Sequence, residues 1–202
     1  MSKKTVRFAT PADAAEILSV YEPYVRETDV TFEIAVPKTE DFCTRIKNIS
    51  ADYPYLVCEC EGEIIGYAYA AKIFTREAYR FDAELSVYIT KKHTCEGIGG
   101  ALLKALLEIL KLQNIVTVYS IITSPNIPSE QLHEKLGFKR VCTFEKAGYK
   151  FDSWHDDSWY EKKLLTPVVP MPEFISIKDL PRGELDAILK CTEQEIMSRQ
   201  KP

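Results

Sequence analysis

The sequence lacks the features that mark membrane proteins, secreted proteins and nucleic-acid-binding proteins. None of its apolar runs approaches the roughly 18 residues that a membrane span requires. The start, Met-Ser-Lys-Lys, has no apolar segment of the kind that signal peptides carry. The net charge is −4 over 202 residues, with basic residues scattered among acids rather than clustered for phosphate binding. We therefore expect a cytoplasmic protein that has neither a membrane nor a nucleic acid as its partner.

Metal-binding and disulfide spacings are also missing. The chain has six cysteines, but no two of them form a C-x-x-C pair. The segment from Trp154 to Asp157 contains a histidine and two acids, but successive strand residues point to opposite faces and are poorly placed to chelate one ion. We therefore expect reduced thiols and no metal site.

What is present is a regular alternation of strand and helix patterns. Helical spacing of apolar residues begins after Thr10, Thr39, Gly97 and Pro128. Strand patterns cover residues 5–8, 55–60, 64–71, 81–90, 115–122, 138–144 and 149–164.

The order of these elements predicts the fold class. A turn at Glu61-Gly62-Glu63 makes residues 55–71 a hairpin, whereas a helix joins strand 81–90 to strand 115–122. Strands joined by a helix should run parallel with a right-handed crossover. We therefore predict an α/β fold with a mixed, mostly antiparallel twisted sheet, one parallel strand pair and helices on both faces.

A change of composition separates the end of the chain from the rest. Residues 166–172 contain three prolines and resemble a linker, and residues 184–197 have an apolar helical face formed by Leu185, Ile188, Leu189 and Ile196. We divide the chain into a domain at 1–165 and a tail at 166–202, which is a proline-rich linker and an amphipathic helix. The helix is expected to pack on the main domain or on a second subunit.

One turn carries a chemical signal. Gly97-Ile98-Gly99-Gly100 lies between a strand and a helix, where free backbone N–H groups and the positive end of the helix dipole attract phosphates. A glycine turn of this kind also occurs for purely structural reasons, so the pattern alone leaves both readings open.

A second motif lies one strand downstream. Residues 126–138 read N-x-x-S-x-x-L-H-E-K-x-G-F, which resembles the signature of the GCN5-related acetyltransferases. Within that superfamily the chain is similar to the phosphinothricin acetyltransferases from about Val6 to Leu164. The stretches that carry this similarity are 31–33, 74–80, 83–89, 148–154 and 159–162.

The resemblance implies acetyl-CoA as the cosubstrate, without a metal. Backbone groups of Val87, Tyr88 and Ile89 would pair with its pantetheine arm, and the Tyr88 N–H would stabilise the developing oxyanion. Asn126 would contact the cosubstrate beyond the thioester. The turn that would hold the pyrophosphate consists of Cys95, Glu96, Gly97, Ile98, Gly99 and Gly100.

The resemblance also implies catalytic roles. Glu84, at the cleft where the parallel strands splay apart, would take the proton of the attacking amine. His133 would return a proton to the leaving thiolate or share the role of base. Phe32, Arg76 and Tyr79 would form the acceptor pocket, in which the arginine suits a substrate carboxylate or phosphinate.

The acceptor implied is a small amino-acid-like amine, such as phosphinothricin, methionine sulfoximine or methionine sulfone. Relatives of this kind are usually homodimers, and the closing strands with Trp154 and Trp159 offer an apolar interface.

Two departures from the pattern keep alternatives open. Thr94 stands where the superfamily usually has glutamine or arginine, and Cys95 stands where close relatives have glycine. Both changes affect the phosphate-binding turn. One alternative is a degenerate acyl-CoA-binding protein with a regulatory role. The other is an acetyltransferase that acts on another amine, such as a polyamine or a protein N-terminus.

Overall fold

A computed structural model describes residues 2–199, which form one seven-stranded sheet and five α-helices. The strands are β1 Lys4–Phe8, β2 Tyr55–Cys60, β3 Glu63–Lys72, β4 Asp82–Ile89, β5 Thr117–Ser124, β6 Lys139–Lys150 and β7 Ser153–Lys163. The helices are α1 Ala14–Glu27, α2 Thr39–Ile49, α3 Ile98–Leu112, α4 Ile127–Lys135 and α5 Arg182–Ser198.

The sheet confirms the predicted fold class. Its strand order is β1-β2-β3-β4-β5-β7-β6, and β4 and β5 are parallel while every other neighbouring pair is antiparallel. The helix α3 makes the crossover between β4 and β5, as the strand–helix–strand pattern predicted.

The closing hairpin differs from its predicted outline. Sequence patterns placed a break between residues 144 and 149, but β6 continues through this region with a change of register between Phe144 and Gly148. Lys146 lies in this bulge with a positive φ of 53°, and its N–H donates to the Asp156 carboxylate. A bulge interrupts side-chain alternation without ending the strand, so periodicity alone suggested a loop.

Helices cover both faces of the sheet. On one face, α1 and α2 bury a cluster that includes Ile17, Phe42, Ile46 and the tyrosines Tyr55 and Tyr67. On the other face, α3 buries almost all of its apolar side chains against the sheet. The sheet therefore separates two apolar cores, and any opening between its strands connects one face with the other.

The tail packs on the main domain of the same chain. The helix α5 lies against α3 and β1 and contributes Leu185 and Ile196 to the core on that face. The Glu193 carboxylate accepts a hydrogen bond from the Val6 N–H, and Gln113 Nε2 donates to the Ile175 carbonyl. These contacts tie the tail to the first strand and to the end of α3.

None of the helices formed by residues 2–199 combines the length and the apolar character that crossing a membrane requires.

We predict that the tail unfolds together with the sheet. Ile196 is 0% exposed, so Ile196→Ala should leave a cavity and lower the free energy of unfolding by about 3 kcal/mol. Urea unfolding measures this loss, and Val169→Ala in the fully exposed linker is the matched control, for which no change is expected. An unchanged midpoint for Ile196→Ala would mean that α5 is not part of the cooperative unit.

Candidate active site

The sheet opens at Glu84. The parallel pairing of β4 with β5 consists of three positions, and the last of them joins Glu84 to Tyr119. Beyond it β4 continues to Ile89 and β5 to Ser124, without further pairing between the two strands. Backbone N–H and C=O groups on the facing edges are therefore free to bind something other than the neighbouring strand.

A narrow cavity of about 60 Å³ occupies this opening. The Ser120 hydroxyl in its wall is buried and has no hydrogen-bond partner among residues 2–199. An orphaned polar atom in a cavity indicates a place where a ligand or water completes the hydrogen bonding. The lining residues come from both faces of the sheet: Val30, Leu85, Ser86, Val87, Tyr88, Ser120, Ile121, Ile122, Thr123, Asn126, Ser129 and His133.

The backbone of β4 faces the opening through its odd-numbered residues. The Phe81 carbonyl accepts a hydrogen bond from Val116 on the β5 side, and the Thr90 N–H donates to Ile65 of β3, both at 2.8 Å. Because peptide groups alternate in direction along a strand, Val87 directs its N–H and C=O into the opening. The Tyr88 amide instead faces β3, where Tyr88 lies opposite Tyr67. The Tyr88 N–H, which was predicted to meet the reacting carbonyl, therefore points away from the opening, and that of Val87 points into it.

Tyr24 of α1 holds the backbone of Ile89. Its hydroxyl donates to the Ile89 carbonyl at 2.6 Å and lies 3.4 Å from the Ile89 nitrogen, which donates to it. The Tyr24 ring packs edge-on against Tyr88, whose pKa is raised by burial among tyrosines. The sequence analysis missed Tyr24 because it lies outside every motif and its contact depends on how α1 crosses the sheet.

Glu84 and Asp157 face the same side of the sheet. Glu84 is opposite Tyr119 on β5, and Asp157 is opposite Thr123, so alternation places both carboxylates on the α1–α2 face. Burial raises the pKa of Glu84, and the negative charge of Asp157 raises it further. Burial also raises the pKa of Asp157. The sequence analysis considered Asp157 only as part of a possible metal-binding segment and did not connect it with Glu84.

His133 lies on the opposite face, in the wall of the cavity. The side chain is 3% exposed, and its Nδ1 lies 2.8 Å from the Ser129 carbonyl. A carbonyl oxygen only accepts, so Nδ1 carries the proton and Nε2 has a free lone pair in the neutral ring. Burial lowers the pKa of His133 and favours this neutral form. The sequence left His133 as an acid or a base, and this arrangement favours a proton acceptor.

The glycine turn presents free amides at the start of α3. The chain reaches the helix through positive φ values at Cys95 and Gly97, of 66° and 78°. The first hydrogen bond of the helix runs from the Ala101 N–H to the Gly97 carbonyl, which leaves the N–H groups of Ile98, Gly99 and Gly100 without helical partners. This is the pattern that the sequence predicted for an anion site.

The glycines of α3 also have packing roles. A Cβ on Gly99 would lie 3.6 Å from Val87, and one on Gly100 would lie 3.3 Å from Leu132. These glycines therefore allow α3 to pack closely on β4 and α4. The Glu96 carboxylate lies 2.8 Å from Lys4 and 3.0 Å from His93, so its side chain supports the turn.

Asn126 begins α4. Its side-chain oxygen accepts from the Ser129 N–H at 3.3 Å, and its own N–H donates to the Glu130 carboxylate at 3.0 Å. The same residue lines the cavity. The N-cap bond uses only the amide oxygen, which leaves the Asn126 side-chain NH₂ group available to a ligand.

The predicted acceptor residues are placed apart. Phe32 packs on Gly148 of β6, where an added Cβ would lie 2.5 Å from the ring, and Tyr79 packs on Phe74 with ring centroids 4.6 Å apart. Arg76 is exposed at the start of a short 3-10 turn, and its side chain has no hydrogen bond or ion pair among residues 2–199. The structure does not join these three residues into one pocket by direct contacts.

The fold and this opening agree with the comparisons to known proteins. The family model described as "Acetyltransferase (GNAT) domain" matches residues 6–159. The chain belongs to the GNAT acetyltransferase family.

Two relatives show which members of the family the chain is similar to. The phosphinothricin N-acetyltransferase of Streptomyces viridochromogenes is 33% identical over 167 residues, which cover 83% of this chain and 91% of the relative. The L-methionine sulfoximine/L-methionine sulfone acetyltransferase of Salmonella typhimurium is 30% identical over 164 residues. The match covers 79% of this chain and 94% of that relative.

A solved structure is similar over most of the chain. The GNAT superfamily phosphinothricin acetyltransferase of Sinorhizobium meliloti, in complex with AcCoA, superposes with a TM-score of 0.80 at 30% identity. The match covers 86% of this chain and 98% of that one.

Proposed function

We propose that this acetyltransferase moves the acetyl group of acetyl-CoA to the amine of a small amino-acid-like acceptor, with Glu84 as the base. Acetyl-CoA is the cosubstrate of the chain, and the protein is an N-acetyltransferase. The observation that supports the proposal is the opening of the sheet at Glu84, because this carboxylate, whose pKa is raised, stands at the last paired position and the cavity-lining residues of β4 follow it directly.

The free groups around the opening fit the chemistry of acetyl-CoA. The N–H and C=O of Val87 can pair with amides of an extended arm, as an added strand would. The free amides of residues 98–100 suit a diphosphate, and the orphaned Ser120 hydroxyl and the Asn126 side chain are polar contacts inside the cavity. Bound acetyl-CoA supplies a thioester whose carbonyl carbon accepts the amine.

Glu84 prepares the amine. An α-amine has a reference pKa near 8, so it is largely protonated at neutral pH and must lose a proton before it attacks. Burial and Asp157 both raise the pKa of Glu84, which makes this carboxylate a stronger base than an exposed one. Because Glu84 lies on the α1–α2 face, the acceptor would approach from that side.

Val87 and His133 would act on acetyl-CoA. The Val87 N–H, rather than that of Tyr88, would donate to the carbonyl oxygen as negative charge develops. His133 Nε2 would accept a proton or a hydrogen bond within the cavity. His133 would thus act from the α3–α4 side of the opening, opposite Glu84, and the Val87 N–H from the strand edge between them.

The acceptor class rests on the relatives and on one exposed arginine. The relatives are named for phosphinothricin, methionine sulfoximine and methionine sulfone, which are small amino-acid-like molecules. Arg76 is exposed and without a partner among the described residues, and its guanidinium would suit the carboxylate of such an acceptor. Phe32, on Gly148, and Tyr79, on Phe74, would border the acceptor with their rings.

The test is release of coenzyme A with a panel of amines. We expect turnover with phosphinothricin or methionine sulfoximine to exceed turnover with polyamines and peptide N-termini. Glu84→Gln should lower kcat at least about 100-fold because the base is lost, while calorimetry shows unchanged acetyl-CoA binding. Binding without turnover on any amine would instead favour a regulatory acyl-CoA-binding protein, and an unchanged kcat in Glu84→Gln would remove this residue from the mechanism.

A second prediction concerns pH. Glu84 acts as a base only when ionised, so kcat should rise as pH passes through the pKa of Glu84, which burial and Asp157 raise. Asp157→Asn removes the negative charge, lowers that pKa and should move the rising limb of the kcat profile to lower pH. The matched control is Asp156→Asn, because Asp156 is the preceding residue of β7 and its side chain faces the opposite side of the sheet. This variant should leave the rising limb in place. Equal profiles for both variants would contradict the assigned base.

We also propose that the protein is a homodimer. On the closing hairpin, Phe144, Tyr149, Phe151 and Trp154 are each more than half exposed, which is an unusual concentration of aromatic surface for a monomer. Sedimentation equilibrium should give twice the chain mass, and Trp154→Glu should shift the mass toward the monomer by placing a charge in the interface. Val169→Glu in the exposed linker is the control, and a monomeric parent protein would refute the proposal.

A further inference from the structure

The phosphate-binding turn lacks the long side-chain donor that is usual at its start. Thr94 stands where the superfamily usually has glutamine or arginine, and its hydroxyl donates at 3.0 Å to the Lys91 carbonyl within the turn itself. Lys4 is engaged by Glu96 at 2.8 Å. Lys92 and His93 line a separate depression beside the β2–β3 turn. Thr94 and Lys4 thus have partners of their own, and Lys92 and His93 border another depression.

The tail brings an arginine to the same turn. The helix α5 runs antiparallel to α3, so that Glu195 near its end pairs with Lys104 of α3 and Arg199 reaches Gly97. A methyl group added at Gly97 would collide with Cδ of Arg199 and would lie 3.1 Å from its Nη1 and 3.2 Å from its Nε. The guanidinium thus lies directly beside the residue that precedes the free amides of α3.

The arginine is oriented by its own helix. Nη2 of Arg199 donates to the Glu195 carboxylate at 2.8 Å, and the same carboxylate accepts from Lys104 at 2.7 Å. One carboxylate is thus shared between two cations and does not neutralise both of them. Among the described residues no other ion pair of Arg199 is found, so Nη1 and Nε, on the Gly97 side, are available. The fully buried Ile196, one turn earlier, anchors the end of α5.

We propose that Arg199 binds the diphosphate of acetyl-CoA and takes the place of the side chain that is missing at Thr94. The inference rests on the proposed function, since it requires acetyl-CoA at this turn. With Nη2 held by Glu195, Nη1 or Nε can donate a charge-assisted hydrogen bond to a phosphate oxygen, and the adjacent amides of residues 98–100 supply the remaining donors. The family model ends at residue 159, so this role belongs to the added tail and not to the shared domain.

The test measures coenzyme A binding by calorimetry, without turnover. Arg199→Ala should weaken coenzyme A about tenfold because a charge-assisted, partly exposed phosphate contact is lost. Arg199→Lys should lose less, since it keeps the positive charge. Arg182→Ala, at the other end of the same helix, is the matched control and should bind like the parent protein.

Two smaller ligands locate the contact. The Arg199→Ala loss should persist with dephospho-coenzyme A, which keeps the diphosphate, and should vanish with pantetheine, which lacks all phosphates. A loss that disappears already with dephospho-coenzyme A would assign Arg199 to the 3′-phosphate and overturn the proposal. A loss of equal size with pantetheine would show an indirect structural effect and would also overturn it.

Failure of this inference and failure of the proposed function give different results. If the parent protein binds coenzyme A and Arg199→Ala binds it equally well, only the role of Arg199 is refuted. If the parent protein does not bind coenzyme A at all, the proposed function is refuted, and the inference falls with it.

Discussion

The missing pairing between β4 and β5 beyond Glu84 is the constraint on which the site depends. Two parallel strands that separate inside a sheet leave their backbone groups unpaired and connect two apolar cores that would otherwise be closed. The α1–α2 face and the α3–α4 face then share one cavity. A reaction between two substrates can use this geometry, because each substrate approaches the same point from its own side of the sheet.

The low polarity of the surroundings sets the proton chemistry at that point. Burial raises the pKa of Glu84 and lowers the pKa of His133, so both groups are biased toward their uncharged forms. For the carboxylate this strengthens its basicity, and for the imidazole it leaves Nε2 free to accept. Asp157 adds a negative charge on the side of Glu84 alone. The two faces of the opening thus differ in charge as well as in access.

Features that follow from periodicity and motif order were predicted from the sequence. Features that depend on the direction of a peptide group, or on contacts between residues distant in the chain, were missed. Periodicity and motif order were sufficient for the parallel pair and for the free amides after Gly97. The direction of the Tyr88 amide was not predicted, because alternation in the sequence does not say which edge of β4 pairs with β3, and peptide groups alternate between the two edges. Tyr24 and Asp157 carry no local signal, since their importance comes from residues far away in the chain.

A departure from a family motif is compatible with function when a distant part of the chain supplies the missing group. A motif describes neighbours in sequence, whereas a phosphate responds to the cations that are near it in space. Thr94 removes one of the local donors, but α5 lies antiparallel to α3, and its last turn therefore meets the first turn of α3. Because Ile196 buries that end of the tail in the core, the position of Arg199 is fixed by packing that the motif does not include. The sequence of the turn alone indicates a weakened phosphate site. In the structure, Arg199, which is 102 residues downstream of Gly97, lies beside the turn.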